Sequence, residues 1–508
     1  MADSKSKPVF GSAAEPARPQ ARVRLVNRAQ IIMRTLDVER LIAEDHPARA
    51  IWEFISELNL SPFYEQVKAV EGRAGQPPFD PRLMISVWIY GLSRGMNSAR
   101  ELSECCEWEP GLQWLCAMEA VNYHSLSTFR AVHGEALKKL FVEVLAALNA
   151  VGMVDLERVT VDGTRIRAAC SNESFRQGKR LEQHIEEAKK HLEALEQDSP
   201  EETVTRRQQA ARERARNERR QRLESAQKRW EELKQSQGEE KAATAQVSLT
   251  EAEARIMKQP GGGFGPNYNQ QIATDAKQKI IVGAVLSDRG TDMGLLAEVI
   301  DQVKQTCGKL PQQVIVDGGY VSAENIQQME QRGIEMIGPA PQANKPTTPR
   351  GGNAAYSKEA FQYIADEDIY KCPEGKNLVH IRERGREGGR IEHHYRAKRS
   401  DCAACAHKSE CCPTAETCGR TVVRTEPNPV FQAFREKMGS EAYQQQYRKR
   451  SEVAEFPNAW LKEKLGLRRF RLRGRAKAAV EGLWAVITYN VQQWIRVFWR
   501  NRPAALHA

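Results

Sequence analysis

Hydrophobic positions along the chain change period three times, and two short runs mark the changes. Val159-Thr-Val-Asp162-Gly-Thr164 and Val314-Ile-Val-Asp317-Gly-Gly-Tyr320 are β-branched stretches that each end in an aspartate and a glycine. Such runs predict buried strands, with the aspartate where the strand leaves the sheet and glycine letting the backbone turn beside it. Before them, from His46 to about Val154, apolar residues recur at helical spacing. Ile51, Phe54, Ile55 and Leu58 share one face, and Leu83, Met84, Val87, Trp88 and Leu92 another. Asn122-Tyr-His-Ser-Leu-Ser127 predicts a cap for a helix through Leu137, Leu140, Val144 and Leu148. Short helices with tight connections fit either a helix-turn-helix or a small bundle that packs on its neighbour.

After the first aspartate run the pattern becomes polar. From about Glu173 to Ala245 the chain is dense in Glu, Lys, Arg, Gln and Ala, with Leu181, Ile185, Leu192 and Leu195 as sparse apolar positions. Ser199-Pro200-Glu201-Glu202 is a helix restart, so the segment predicts two long antiparallel helices with one narrow apolar seam. Strands follow at Gln270 to Asp275 and Ile280 to Leu286. Next come a helix from about Gly294 to Gln305, the second aspartate strand, a helix capped by Ser322 and a strand at Ile334 to Ile337. That order predicts an α/β fold with a mixed sheet under helical cover.

At 508 residues the chain holds more than one domain. The formal net charge of +10 is modest for that length, so its distribution carries the information. From Tyr447 to Arg475 ten Lys and Arg face three Glu, the density expected of a nucleic-acid groove. No apolar run approaches the ~20 residues of a membrane span, and Met1 to Lys7 lacks a signal-peptide core. The chain is therefore expected in the cytoplasm. Of eleven cysteines, five crowd between Cys402 and Cys418, and that clustering favours metal over disulfide. Cys372, Cys402, Cys405 and Cys411 are the preferred ligands of a structural Zn²⁺, with Cys412, Cys418 and His407 as alternatives.

Two carboxylates at neighbouring strand ends make an oxygen-rich site for Mg²⁺ or Mn²⁺. A third is expected on the basic helix, where positions 448, 452, 455, 459 and 462 share a face and Pro457 requires a kink or a restart. Asp162, Asp317 and a glutamate could hold two ions for in-line phosphoryl displacement.

These residues resemble the DDE transposases of bacterial insertion sequences. Asp162-Gly-Thr is similar to the first acidic motif of that family, and Asp317-Gly-Gly-Tyr320, with Ser322 and Asn325, to the second. The third reads Tyr, two residues, Arg, three residues, Glu, six residues, Lys. Here Tyr447 and Arg450 keep the first interval, and Glu455 and Lys462 the last. Four residues rather than three separate Arg450 from Glu455. Arg448 and Glu452 satisfy the middle interval instead, which leaves Glu452 as the alternative to Glu455. The resemblance implies an RNase H-like core, two Mg²⁺ or Mn²⁺ ions at Asp162, Asp317 and Glu455, and an oligomer on transposon-end and target DNA near the bacterial nucleoid. Tyr447, Arg450 and Lys462, with Arg468 and Arg469 of the same basic stretch, are the expected phosphate contacts.

The division expected is a flexible basic lead-in at 1–45 and a DNA-end-binding helical domain at 46–154. The first core strand falls at 155–172, a charged helical insertion at 173–258 and continued core at 259–338. A cysteine-rich insertion at 339–430 and core helices at 431–508 complete it. Two further readings compete with a transposase: an RNase H-like nuclease without strand transfer, and an inactive DNA-binding protein derived from a transposase.

Overall fold

The computed structural model describes residues 31, 33, 35–69, 77–197, 205–237, 244–259, 261–339, 353–386, 390–413, 418–425 and 428–502. Most of the expected basic lead-in and the Ser199–Glu202 restart lie outside them, as do the side chains of Leu192 and Leu195.

The N-terminal segment folds into helices because its apolar residues return every three or four positions. Pro47–Ser56 begins on a His46 cap and buries Ile51, Phe54 and Ile55. Pro81–Ser93 is buried continuously from Met84 to Leu92. Asn122 caps Tyr123–Val132 by accepting the Ser125 N–H at 2.9 Å. The single helix expected from there is instead two. His133 packs its ring on Phe63 and Phe129 with ψ at 37°, and Gly134–Ala150 starts anew with Leu137, Leu140, Val144 and Leu148 buried.

Strands are numbered in chain order. β1 (Arg158–Arg167) is central: antiparallel to β5 (Phe264–Asp275) on one side and parallel to β7 (Gln313–Ile315) on the other. β8 (Glu335–Ile337) extends the parallel side. On the far edge of β5, β4 (Arg255–Lys258) pairs with its first residues and β6 (Ile281–Ser287) with the remainder. β2 (Phe175–Gln177) and β3 (Gln246–Ser248) form a separate two-stranded ladder. It lies at the base of helices Gly178–Gln197 and Arg206–Gln237, which share a small core of Leu181, Ile185, Ala226, Trp230 and Leu233. A second sheet runs β13-β12-β11-β10-β9, built from β9 (Gln362–Ile364), β10 (Ile369–Lys371), β11 (Asn377–Arg386), β12 (Arg390–Ala397) and β13 (Thr421–Thr425).

Helices Leu296–Cys307 and Ala323–Gln331 cover the first sheet, the latter capped by Ser322, which accepts the Asn325 N–H at 3.1 Å. The long helix Arg475–Val497 ties the layers together. Trp484, Ile487, Val491 and Trp494 are buried, as their spacing predicts. Asn490 spends both halves of its amide on one edge residue, accepting the Ile281 N–H and donating to the Ile281 carbonyl. The N-terminal helices, the sheet and this helix share one continuous apolar core. No helix among the described residues is long and apolar enough to cross a membrane.

A buried charge pair sits where these parts meet. Glu481 accepts the Arg471 and Leu472 N–H groups at 2.9 and 3.0 Å, with the Arg130 guanidinium 3.9 Å away. Arg130 lies 4.7 Å from the Trp88 ring centroid and donates to the Asn97 carbonyl. Burial raises the Glu481 carboxyl, and Arg130 opposes that rise. Glu481→Ala leaves a buried guanidinium without its counter-charge and orphans two N–H groups. A stability loss of about 3–5 kcal/mol is expected. Arg130→Met combined with Glu481→Gln should lose less than the two single changes summed. Urea midpoints check this, and a loss below about 1 kcal/mol in Glu481→Ala would contradict it.

Candidate active site

Asp162 does not stand at a strand end. β1 continues through Asp162 and Gly163 to Arg167, paired with β5 residue by residue, Asp162 opposite Ile272. Gly163 therefore serves close approach rather than a turn. A Cβ there would lie 2.4 Å from Gln271 Nε2 and 2.5 Å from Asp292 Oδ1. Asp317 does follow its strand. β7 pairs with β1 in parallel as far as Thr160 opposite Ile315, and continuing that register two residues sets Asp317 beside Asp162.

The two carboxylates meet at Arg450. Its Nη2 donates to Asp162 Oδ1 at 2.7 Å and lies 3.9 Å from Asp317 Oδ2. Asn458 donates to the other Asp162 oxygen at 2.7 Å. Burial pushes the Asp162 carboxyl up to about 6, Arg450 and Asn458 lower it, and Asp317 and Asp292 raise it. Asp317 Oδ1 accepts the Gly319 N–H at 2.8 Å, closing the turn that leads to buried Tyr320.

Asp292 and Asn458 carried no expectation from the sequence. Asp292 Oδ1 accepts from Asn269 at 2.8 Å and Gln271 at 2.7 Å, and the Tyr320 hydroxyl donates to Gln271 Oε1. Asn269 and Gln271 sit two apart on β5, so both amides point to one face. That alternation of polar amides in an otherwise buried strand was the available signal for Asp292. For Asn458 it was the eight-residue interval from Arg450, which brings both to one side of a helix.

The basic helix differs from its expected form. Glu441–Arg448 ends at Lys449, and Arg450–Ala459 begins anew, so position 448 does not share a helix with 452, 455 and 459. Pro457 is the eighth residue of the second helix rather than part of its first turn, and a wide π-helical turn, Trp460–Lys464, follows. A proline there withholds one backbone donor, and the wide turn absorbs the mismatch. Tyr447 is half-buried against the core, whereas Glu452 and Glu455 are exposed. Lys462 is half-buried; burial and Arg468 lower its ammonium, and Asp162 raises it. Arg468 pairs with Glu463. Arg469 donates to the Ala168 and Ala169 carbonyls, and the Phe470 N–H reaches the Arg167 carbonyl, so this basic stretch is sewn to the end of β1.

Beside the site, a cleft of about 1730 Å³ opens between the Arg206–Gln237 helix, the loop through Gly290 and Thr291, and residues 471–477. Arg222, Arg229, Arg289, Arg471, Arg473 and Arg475 are among its walls.

Cys372, Cys402 and Cys411 pack against the aromatic core of the second sheet. With Cys405, Cys412 and His407 they line one small cavity of about 30 Å³. The Cys372 and Cys402 sulfurs accept the Lys376 and Arg420 N–H groups at 3.2 and 3.3 Å. Burial pushes the Cys411 thiol up to about 11, Arg420 opposes it, and Cys412, Cys402 and Cys372 add to it. Cys105 and Cys106 are buried in the helical core.

Comparison with known families adds two matches. A model described as "Transposase domain (DUF772)" covers residues 36–132, and one described as "Transposase DDE domain" covers 371–495. No curated protein matches the chain. The second match takes in the cysteines, the Arg450–Ala459 helix and nearly all of Arg475–Val497, while Asp162 and Asp317 lie between the two matched stretches. Transposase domains are thus matched towards both ends, with paired aspartates on the strands between them, and the two matches support an insertion-sequence DDE transposase.

Proposed function

We propose that this chain cuts DNA at the ends of an insertion sequence and joins the freed 3′ hydroxyl to target DNA, with Asp162, Asp317 and Glu455 as its catalytic carboxylates. The observation that carries the reading is the juxtaposition of Asp162 and Asp317 through parallel strands, with Arg450 against both. The sheet supports an RNase H-like core. Its path β6-β5-β1-β7-β8 has three antiparallel strands followed by two parallel ones.

The donor set fits a hard divalent cation. Three half-buried aspartates lie close together with a single arginine between two of them; burial raises Asp162 most, and Asp317 and Asp292 add to the rise. Asp162, Asp317 and Glu455 would hold two Mg²⁺ or Mn²⁺ ions, which supply charge stabilisation to the attacking and leaving oxygens. Glu455 is preferred to Glu452 on helical phase. At about 100° per residue it lies about 60° from Asn458, whereas Glu452 lies about 120° away. Asn458 orients Asp162, and Arg450 supplies the counter-charge that lets two half-buried carboxylates lie side by side. Tyr447, Lys462, Arg468 and Arg469 would contact phosphates along the basic stretch, and the arginine-lined cleft would continue that surface. In the cysteine cavity, Cys372, Cys402, Cys405 and Cys411 would hold a structural Zn²⁺, since N–H donors to the sulfurs favour thiolates.

The direct assay combines labelled element-end DNA, a target plasmid and Mg²⁺. Joined products support a transposase, nicks alone a nuclease, and a shifted but uncut band a binder. Asp162→Asn, Asp317→Asn and Glu455→Gln should each lower cleavage by more than about 100-fold while end-DNA binding persists. Wild-type cleavage by Asp317→Asn would refute the assignment, and wild-type cleavage by Glu455→Gln with loss in Glu452→Gln would move the third carboxylate to Glu452. Asn458→Ala should lower cleavage about 10- to 100-fold without changing DNA affinity, because Asp162 loses one of its two orienting donors.

A further inference from the structure

The second sheet carries a donor cluster apart from both the carboxylates and the cysteine cavity. His380 and Glu383 lie three apart on β11, and in a regular strand they would point to opposite faces. The β11–β12 ladder is not regular. His380 pairs with Tyr395 and Arg382 with His394, so the register slips by one residue at Ile381. That bulge returns Glu383 to the face of His380, and Glu383 sits directly opposite His393. His393 and Tyr395 are two apart on β12 and share that face.

The result is compact. The ligand atoms of His380, Glu383 and His393 all lie within 4.8 Å of one another, the single such set of His, Cys, Asp or Glu among the described residues. His393 Nδ1 is 3.3 Å from Glu383 Oε1, and the two imidazole centroids are 5.5 Å apart. His380 is oriented from behind. Its Nδ1 faces Asp368 Oδ2 at 3.9 Å, while Asp368 Oδ1 is fixed by the Tyr363 and Tyr395 hydroxyls at 2.9 and 2.6 Å. Its Nε2 is buried and makes no hydrogen bond. A carboxylate near one imidazole nitrogen, with the other buried and left without a hydrogen bond, is an arrangement suited to a metal ligand.

We infer that His380, Glu383 and His393 bind a divalent transition-metal ion of the Zn²⁺ class, with Asp368 as the positioning residue behind His380. Two imidazoles and a carboxylate suit Zn²⁺ or Co²⁺ rather than Mg²⁺. Three protein donors leave a fourth position for water, and the exposed Glu383 gives the ion a way in. The ion holds β11 to β12 across the bulge, where the ladder has lost its regular pairing.

The test uses the full chain, stripped with chelator and titrated with Co²⁺ and then Zn²⁺, beside His380→Gln and Glu383→Gln. Glu383 is exposed, so its variant tests the site without disturbing the core, and matching circular dichroism in chelator verifies folding. In the wild-type protein one equivalent of Co²⁺ should show visible d–d bands without a thiolate charge-transfer band. Both variants should weaken that equivalent by more than about 10-fold and leave any thiolate-bound equivalent untouched. Equal binding by the wild-type protein and both variants, or cobalt signals of thiolate type alone, would overturn the assignment and leave a His393–Glu383 ion pair.

Discussion

Two aspartates of like charge are held together, half-buried, at the sheet, and the surrounding structure has to make that tolerable. Like carboxylates at close range raise each other's affinity for protons, and burial adds to the effect. At Asp162 burial raises the carboxyl most, and Asp317 and Asp292 add to that rise against a guanidinium and an amide that donate to it. An arrangement that costs stability in the isolated chain, and that a divalent cation would relieve, is characteristic of a site kept for chemistry. The same reasoning accounts for Gly163, where a methyl group would collide with the Gln271 amide and the Asp292 carboxylate.

Everything that surrounds the aspartates serves to hold them there. The parallel pairing of β1 and β7 fixes their spacing along the sheet, and the Arg450–Ala459 helix delivers Arg450 and Asn458 from far along the chain. That helix is in turn braced by Arg475–Val497, which is pinned to the sheet edge through Asn490 and to the N-terminal helices through Glu481 and Arg130. The helical N-terminal segment is therefore part of the support of the face that carries the two aspartates. It shares an apolar core with the sheet, and the buried Arg130–Glu481 pair crosses that junction.

Much of this was legible in the sequence, for reasons that can be named. β-branched runs ending in aspartate announced the two key strands, and Ser322 and Asn122 were readable caps. What period and propensity could not convey was depth within the sheet. Asp-Gly reads as a strand end by turn chemistry, yet β1 runs on for five residues beyond Asp162, because its other edge pairs with β5 throughout. Asp292 lies in a loop with no pattern of its own, and its place depends on Asn269 and Gln271 of a distant strand. Helical phase across Lys449 was likewise invisible, since one broken turn shifts every later side chain by about 100°. The bulge at Ile381 hid the histidine cluster in the same way, by reversing which side of the strand Glu383 faces.

The central claim is that Asp162 and Asp317 act as one cation site. It is tested most directly by Mn²⁺ titration of the wild-type chain, Asp162→Asn, Asp317→Asn and the double variant, read by the paramagnetic resonance of free manganese. Shared ligation predicts that each single change weakens binding by at least about 10-fold and that the double change adds little beyond the worse single one. Independent, additive losses, or manganese binding unaffected by either aspartate, would contradict it.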